Sequence, residues 1–308
     1  MRTLLVGAAL GTLLLAAGTP NAASRSAAFP GRNGEIVFSG LLRANGDYDL
    51  YLVRPDGTRL RRITRGPGFE RYPSWSPDGR WLAYISNRTK PRNEGAYEIY
   101  VVRPNGTGFR RVTHDRWIDD QVAWSADGKR FVFGSSRLSG RFGIWVMKAD
   151  GSGAARLTRD GALPAWAPDG RAIAFLRAPK GYDEVWLMSP DGSGQRQLTT
   201  PPSMGDDHAQ DSMPAWSPDG DELLFTRRYR GRTDIYVVRA DGTDLRRLTK
   251  EAGLHSWPAW SPDGKRILFV RTLRKQAAIY VMAADGSHQR RVTAGGIDYA
   301  YPRWQPVR

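Results

Sequence analysis

The sequence contains no cysteine, which excludes disulfide bonds, thiol nucleophiles and thiolate metal sites. Histidine is scarce, with 4 in 308 residues. The common catalytic signatures are also missing, because there is no Gly-x-Ser-x-Gly elbow, no His-Glu-x-x-His motif and no glycine-rich phosphate loop. These absences favour a binding function over an enzymatic one.

Long apolar runs are missing as well, except near the beginning of the chain. There, Arg2 is followed by a run of fourteen mostly apolar residues (4–17), and Ala22 and Ala23 offer small residues for cleavage. A membrane-spanning helix needs about 18 or more apolar residues, so this run is typical of a signal peptide. We expect residues 1–23 to be a cleaved signal peptide, residues 24–32 a short lead and residues 33–308 the folded domain. The mature protein would then be exported to the periplasm or the extracellular space.

The rest of the chain repeats one phrase, Trp-Ser-Pro-Asp-Gly, with small variations. Its tryptophans are 42 to 50 residues apart, at Trp75, Trp124, Trp166, Trp216, Trp260 and Trp304. Each repeat also contains an apolar triplet such as residues 36–38, an Ile-Tyr-Val-like segment such as residues 49–53, an Asp-Gly turn and a basic segment that ends in threonine. Short runs rich in branched and aromatic residues, separated by Asp-Gly turns, predict β-hairpins.

Four strands in a repeat of this length are typical of a propeller blade. We therefore predict an all-β fold, a six-bladed β-propeller. The last repeat stops just after Trp304, and the first repeat lacks a tryptophan strand. We expect residues 301–305 to supply the innermost strand of the blade formed by residues 35–64, so that C-terminal strand pairing with the first blade closes the ring.

These recurring segments resemble the propeller repeats of the TolB family, a relative of the WD-repeat (WD40) class, over roughly residues 33–306. The resemblance implies a TolB-like propeller in an exported protein. TolB is periplasmic and binds a peptidoglycan-associated lipoprotein and an inner-membrane partner. TolB also has an α/β domain before its propeller. We expect that domain to be absent here, because only a few residues separate the predicted signal peptide from the first strand.

The variable loops of the predicted propeller are the place to look for a site. If strands are lettered a to d from the axis outward, the a–b and c–d turns share one face, the turn face. The b–c loops and d–a connections, which vary in length, share the other, the variable face. Binding residues concentrate on variable loops held by a rigid scaffold.

Counting back five and three residues from each repeat tryptophan leads to the channel mouth on the variable face. We expect a ligand-binding site there, with acidic and aromatic residues inside a collar of basic b–c loops. The candidate residues are Glu70, Tyr72, Asp119, Asp120, Gln121, Asp211, His255, Trp257, Asp298 and Tyr301. A negatively charged channel mouth would attract a cation or an amino group.

A candidate metal site lies in the longest d–a connection. Asp206, Asp207, His208 and Asp211 offer oxygen and imidazole ligands to a divalent cation such as calcium. The alternative is a solvated acidic loop, in which case the protein has no cofactor. Together with His255, these residues also keep open a second function, that of a propeller-type carbohydrate-active lyase or hydrolase with a metal held by histidine and aspartate.

The first prediction is a non-enzymatic, monomeric module that binds an envelope or secreted protein or peptide through the variable face and channel mouth. The formal net charge of +15 includes paired arginines on the outermost strands, such as Arg61-Arg62 and Arg290-Arg291. Such residues can protect a strand edge or bind an anionic wall polymer or membrane surface. Nucleic acid is not expected as a partner of an exported protein.

Overall fold

The computed structural model describes residues 29–41, 47–91, 97–138, 141–204, 207–294 and 298–308. In these residues it contains six four-stranded antiparallel sheets, one two-stranded ribbon (Ser203–Met204 with Asp207–His208) and no helix. The predicted all-β, six-bladed propeller is confirmed. Within the same ranges no helix is long and apolar enough to cross a membrane, and the predicted signal peptide lies outside them.

Each blade contains four strands, lettered a to d from the channel outward, and the blades are numbered along the chain. The a strands of blades 1 to 6 are Asp298–Val307, Glu70–Trp75, Asp119–Trp124, Ala162–Trp166, Gln210–Trp216 and Leu254–Trp260. The b strands are Arg32–Leu41, Leu82–Ser86, Arg130–Leu138, Ile173–Arg177, Glu222–Tyr229 and Arg266–Leu273. The c strands are Asp49–Val53, Glu98–Val102, Arg141–Lys148, Glu184–Met188, Arg232–Arg239 and Gln276–Ala283. The d strands are Arg61–Arg62, Arg110–Arg111, Ala155–Arg156, Arg196–Gln197, Arg246–Arg247 and Arg290–Arg291.

The hydrophobic core lies between neighbouring blades. In the contact between blades 6 and 1, for example, Phe38 and Trp304 of blade 1 pack in one buried cluster with Leu268 and Val281 of blade 6. All six repeat tryptophans are buried, so their repetition reflects packing, as expected for a blade that buries its faces only against its neighbours.

The threonine that ends each basic segment anchors strand c. Its Oγ1 accepts a hydrogen bond from the backbone N–H of a strand c residue fourteen positions earlier, at 2.8 to 3.0 Å. The polar side chains of the Asp-Gly turns bond to each other within the turn. In blade 2, for example, the Ser76 hydroxyl donates to Asp78 Oδ1 at 2.6 Å. The same Ser-Asp bond occurs in three more blades. These repeated polar residues therefore stabilise the fold itself.

The ring closes through its own C-terminus. Strand Asp298–Val307 pairs with Arg32–Leu41 from Arg32 opposite Val307 to Leu41 opposite Asp298. The predicted closure is confirmed, and the strand extends beyond residues 301–305 at both ends. On the outer side, Arg290 of blade 6 donates to the carbonyl oxygen of Pro55 in blade 1 at 3.2 Å.

Candidate functional site

Every strand a contains a β-bulge near the channel. In blade 2, Arg71 is paired with Ile85 and Ser74 with Ala83, so two residues lie opposite one. The other five blades show the same shift at the same position. The residue three positions before each repeat tryptophan has a positive φ of 29° to 55°. These six residues, here called the bulge ring, are Tyr72, Gln121, Leu163, Met213, Trp257 and Tyr301.

Positive φ is uncommon for non-glycine residues and strained for bulky ones. Bulges re-aim side chains and are over-represented next to functional sites. Counting back from each tryptophan locates these residues in the sequence, but no glycine or asparagine marks the unusual backbone. The sequence therefore predicts the position of the ring and misses its conformation.

The bulge ring has an aromatic half and an aliphatic half. In the aromatic half, Tyr301 of blade 1 contacts Tyr72 of blade 2 and Trp257 of blade 6, with ring centroids 4.1 Å and 5.1 Å apart. Gln121, Leu163 and Met213 supply the other half. Gln121 Oε1 and Trp257 Nε1 are buried and make no hydrogen bond to the residues that the structure describes. A ligand at the ring could satisfy both atoms and stack on the aromatic half.

Three of the five acidic residues expected at the mouth are buried and paired. Each lies five residues before a repeat tryptophan and forms an ion pair with an arginine that lies in the adjacent strand b or, for Arg88, just after it. The pairs are Glu70 with Arg88 at 2.7 Å, Asp119 with Arg137 at 3.2 Å and Asp211 with Arg227 at 2.6 Å. The carboxylates are at most 2% exposed. The expectation of an open acidic mouth inside a separate basic collar was therefore wrong at these positions, because strands a and b bring acid and base together.

Burial is the largest influence on the pKa of three carboxyl groups near the mouth, those of Glu70, Asp119 and Asp120. It raises the pKa of Asp119 to about 7, although Arg137 and the Ser135 hydroxyl oppose the shift. Burial also raises the pKa of Glu70 and of Asp120. Asp298 differs, because it is exposed and accepts a hydrogen bond from the Tyr48 hydroxyl at 3.1 Å. Asp298 is thus an open carboxylate at the channel mouth.

The predicted metal ligands are not brought together in the described residues. Asp206 and the side chain of Asp207 lie outside them. His208 is exposed and stacks on Tyr182 with centroids 4.7 Å apart. Both carboxylate oxygens of Asp211 accept hydrogen bonds from Arg227, at 2.6 and 2.7 Å. Within the part of the chain that the structure describes, no group of three or more acidic or histidine residues is placed to hold a metal ion.

His255 is a core residue. It is fully buried, with Nδ1 3.3 Å from Asp234 Oδ1 and its ring tilted against Phe269. Burial lowers the pKa of its imidazole, against the opposing effect of Asp234. His255 therefore supports the wall of the channel and does not present a free imidazole at its mouth.

A cavity of about 110 Å³ lies in the channel between the bulge ring and the turn face. The repeat tryptophans and small residues of the a strands line it, together with Arg303 and Phe29. Phe29 reaches it from the turn face, where the backbone N–H of Gly31 donates to the carbonyl of Pro262 at 3.3 Å. We did not expect either residue from the sequence. A signal exists for Arg303, the one charged residue directly before a repeat tryptophan.

The paired arginines of the d strands hold the fold together. In three pairs the first arginine donates to a carbonyl oxygen of the next blade, as Arg61 does to Pro104 at 2.6 Å and Arg110 to Ala149 at 2.8 Å. The second arginine forms an ion pair with an acid of its own strand c in three blades, as in Arg62 with Asp49 at 2.7 Å, and Arg291 donates to the carbonyl oxygen of Thr293. These residues thus already have acceptors within the protein.

Comparisons with known proteins place this geometry in a family. Short segments match curated relatives: 56 residues are 48% identical to a protein TolB homolog of Chlorobium luteolum, covering 18% of this chain and 12% of the relative. Another 36 residues are 53% identical to the Tol-Pal system protein TolB of Nitratidesulfovibrio vulgaris, covering 12% of this chain and 8% of that protein. The matches thus span only about a tenth of the curated relatives.

Solved structures share the fold over most of the chain. TolB from Acinetobacter baumannii is similar with a TM-score of 0.77 and 21% identity, over 89% of this chain and 67% of that one. An oligogalacturonate lyase in complex with manganese is similar with a TM-score of 0.58 and 17% identity, over 84% of this chain and 74% of that one. The profile of the TolB beta propeller domain matches residues 89–210 and 202–307. Because these two segments cover well over half of the sequence, the chain belongs to the TolB β-propeller domain family.

Proposed function

We propose that this protein is an exported, non-enzymatic binding module that takes up a protein or peptide of the cell envelope at its variable face. The bulge ring forms the central contact. The observation that carries the proposal is that all six blades hold one residue in a strained backbone conformation at the same level of the channel, while the side chain differs between blades. A shared strained backbone with differing side chains is what a specific site on a symmetric scaffold requires.

The chemistry of the ring supports a protein or peptide ligand. Tyrosine and tryptophan dominate the energetic centres of protein interfaces, and three of the six ring residues are of these types. Because Glu70, Asp119 and Asp211 are neutralised by arginines, recognition rests on aromatic stacking and on buried polar atoms more than on negative charge. The relatives named Tol-Pal system protein TolB favour an envelope location for the partner.

A pull-down from an envelope fraction tests the proposal with the Trp257→Ala and Met213→Ala variants. Leu245→Ala is the matched control, because Leu245 is an exposed apolar residue beside a c–d turn on the turn face. A partner retained by the wild type and the control but lost by both ring variants supports the proposal. Equal retention by all four proteins, each shown to be folded by circular dichroism, would refute it.

A propeller-type lyase or hydrolase is the alternative function. Its support is a likeness in fold to an oligogalacturonate lyase and the exposed position of His208 on the variable face. The burial of His255 and the engagement of Asp211 by Arg227 weigh against it. A stoichiometric divalent metal in the purified protein that is lost in His208→Ala would favour this alternative.

A further inference from the structure

We propose that the channel contains a binding site for a carboxylate group, with the guanidinium of Arg303 as its cation. Arg303 precedes the repeat tryptophan of blade 1 and lines the cavity of about 110 Å³ below the bulge ring. The other five blades have an alanine or a serine at this position: Ser74, Ala123, Ala165, Ala215 and Ala259. One long cationic side chain therefore enters a level of the channel that is otherwise lined by small residues.

The charge of Arg303 has no acidic partner among the described residues. Its Nη1 donates to the carbonyl oxygen of Pro302 at 2.9 Å, and no carboxylate described by the structure lies within ion-pair distance of it. By contrast, Arg88, Arg137 and Arg227 are all paired. A guanidinium carries five N–H donors, so most of those on Arg303 remain available to a ligand.

Arg303 is partly exposed to the channel, but its apolar surroundings still make the unpaired charge costly. Burial lowers the pKa of Arg303 to about 10, against the opposing influence of Tyr72 and Tyr301, and the side chain is therefore still cationic at neutral pH. A charge that is partly removed from water and has no partner is unfavourable. An anion bound in the cavity would remove that penalty, which is the physical reason to expect one.

The shape and lining of the cavity favour a carboxylate with a small apolar substituent. The planar fork of arginine binds a carboxylate through two parallel hydrogen bonds, and the tryptophans and alanines around it suit an apolar group. A water molecule needs roughly 10–15 Å³ of such space, so the cavity has room for several non-hydrogen atoms. Residues 24–34, which include Phe29 at the cavity, contain no acidic residue and do not supply the anion.

Two sources could provide this chemistry: a free small carboxylic acid, or the C-terminal carboxylate of a peptide that enters through the ring. The inference goes beyond the proposed function, because a free acid can occupy the cavity without any partner on the variable face. Failure of the carboxylate test leaves the pull-down result of the ring variants unaffected, so the two ideas can fail separately.

Calorimetric titration of the purified protein tests the site. The probes are butyrate, its neutral analogue butyramide, and a tripeptide ending in leucine with a free or an amidated C-terminus. We expect butyrate to bind and butyramide not to bind. Arg303→Met should bind butyrate at least tenfold more weakly, while the control Arg54→Met, at an exposed turn residue, should bind like the wild type.

Binding of the free tripeptide that disappears on amidation would assign the site to a peptide C-terminus. Equal affinity of Arg303→Met and wild type for every carboxylate, or no binding of any carboxylate to the wild type, overturns the proposal.

Thermal unfolding gives a second readout that does not depend on choosing the right acid chain. Without ligand, Arg303→Met should unfold at a higher temperature than the wild type, because the substitution removes a partly buried charge that has no acidic partner among the described residues. Butyrate should raise the Tm of the wild type and leave that of Arg303→Met unchanged. A lower Tm for Arg303→Met, with no effect of butyrate on either protein, would show that Arg303 has a structural role instead.

Discussion

The buried ion pair between Asp211 and Arg227 offers a quantitative test of how the channel wall is built. The Arg227 side chain is 6% exposed and that of Asp211 is 0% exposed, and two hydrogen bonds of 2.6 and 2.7 Å join them. Arg227→Met keeps most of the side-chain volume and removes the charge. Asp211 would then remain buried without its cation. Loss of one partner of such a pair costs about 3–5 kcal/mol.

The expected loss can be measured by thermal unfolding followed by circular dichroism. In a chain of this size, each kcal/mol corresponds to about 2 °C in Tm, so Arg227→Met should lower the Tm by about 6–10 °C. Arg228→Met is the matched control. Arg228 is the next residue along the strand, is exposed and donates to Gln210, so its replacement should change stability by less than about 0.5 kcal/mol.

A double variant separates the loss of the pair from the loss of its packing. Asp211→Leu combined with Arg227→Met replaces both charges by apolar groups, and such replacements are often neutral or stabilising. We expect the double variant to regain most of the stability lost by Arg227→Met alone. If Arg227→Met unfolds at the wild-type temperature, or if the double variant is no more stable than the single one, the ion pair does not hold the wall as argued.

Three further predictions concern stability. Burial raises the pKa of Asp119 to about 7 in the folded state, against about 3.9 in the unfolded state. Its contribution to stability is therefore largest at acidic pH and is lost as pH rises from about 4 to about 7. Asp119→Asn should flatten this part of the pH profile of stability measured by urea denaturation, and an unchanged slope would contradict the assignment. Arg290→Met, which removes the bond to Pro55 across the ring closure, should lower the free energy of unfolding by about 1 kcal/mol, whereas Arg156→Met, on the exposed d strand of blade 3, should have little effect in the same assay. Arg59→Gly should raise the free energy of unfolding by about 0.5–1 kcal/mol, because exposed Arg59 has a φ of 54° where blades 2, 3 and 4 have Gly108, Gly153 and Gly194. Gly153→Ala is the reverse control and should destabilise the fold. If both variants are as stable as the wild type, the strain argument is refuted.

The sequence predicts the fold well because the same strand and turn signals recur from blade to blade. The tryptophan spacing, the Asp-Gly or Asn-Gly turns and the short apolar segments recur along the chain. The pairing of the C-terminal strand with the first blade follows from two incomplete repeats that complete each other. Agreement between local patterns and global architecture is what makes a fold predictable. The same periodicity also places the ring residues Tyr72 and Trp257 at one level of the channel.

The chemical state of the site is less predictable. Glu70, Asp119 and Asp211 are visible in the sequence as acids near the mouth, but their arginine partners come from the neighbouring strand, and only the pairing register brings Asp211 opposite Arg227. The positive φ of Leu163 or Met213 has no local residue signal, because it follows from a bulge imposed by the blade. The pairing register of neighbouring strands therefore decides which charged side chains form ion pairs, and single-sequence patterns do not encode that register.

The distinction between repeated sequence and repeated backbone bears on where function can reside. Trp-Ser-Pro-Asp-Gly recurs because its tryptophan fills the space between blades and its serine and aspartate close a turn, so neither is free to vary with a ligand. At the bulge ring the reverse holds, since the backbone recurs while the side chain changes from tyrosine to leucine to tryptophan. Each strained residue costs of order 1–3 kcal/mol, and such strain persists only where the surrounding structure enforces it. The rigid turn that follows each repeat tryptophan enforces this conformation. The repeated phrase thus acts on binding indirectly, because it holds six side chains of five different types at the entrance to the cavity that Arg303 lines.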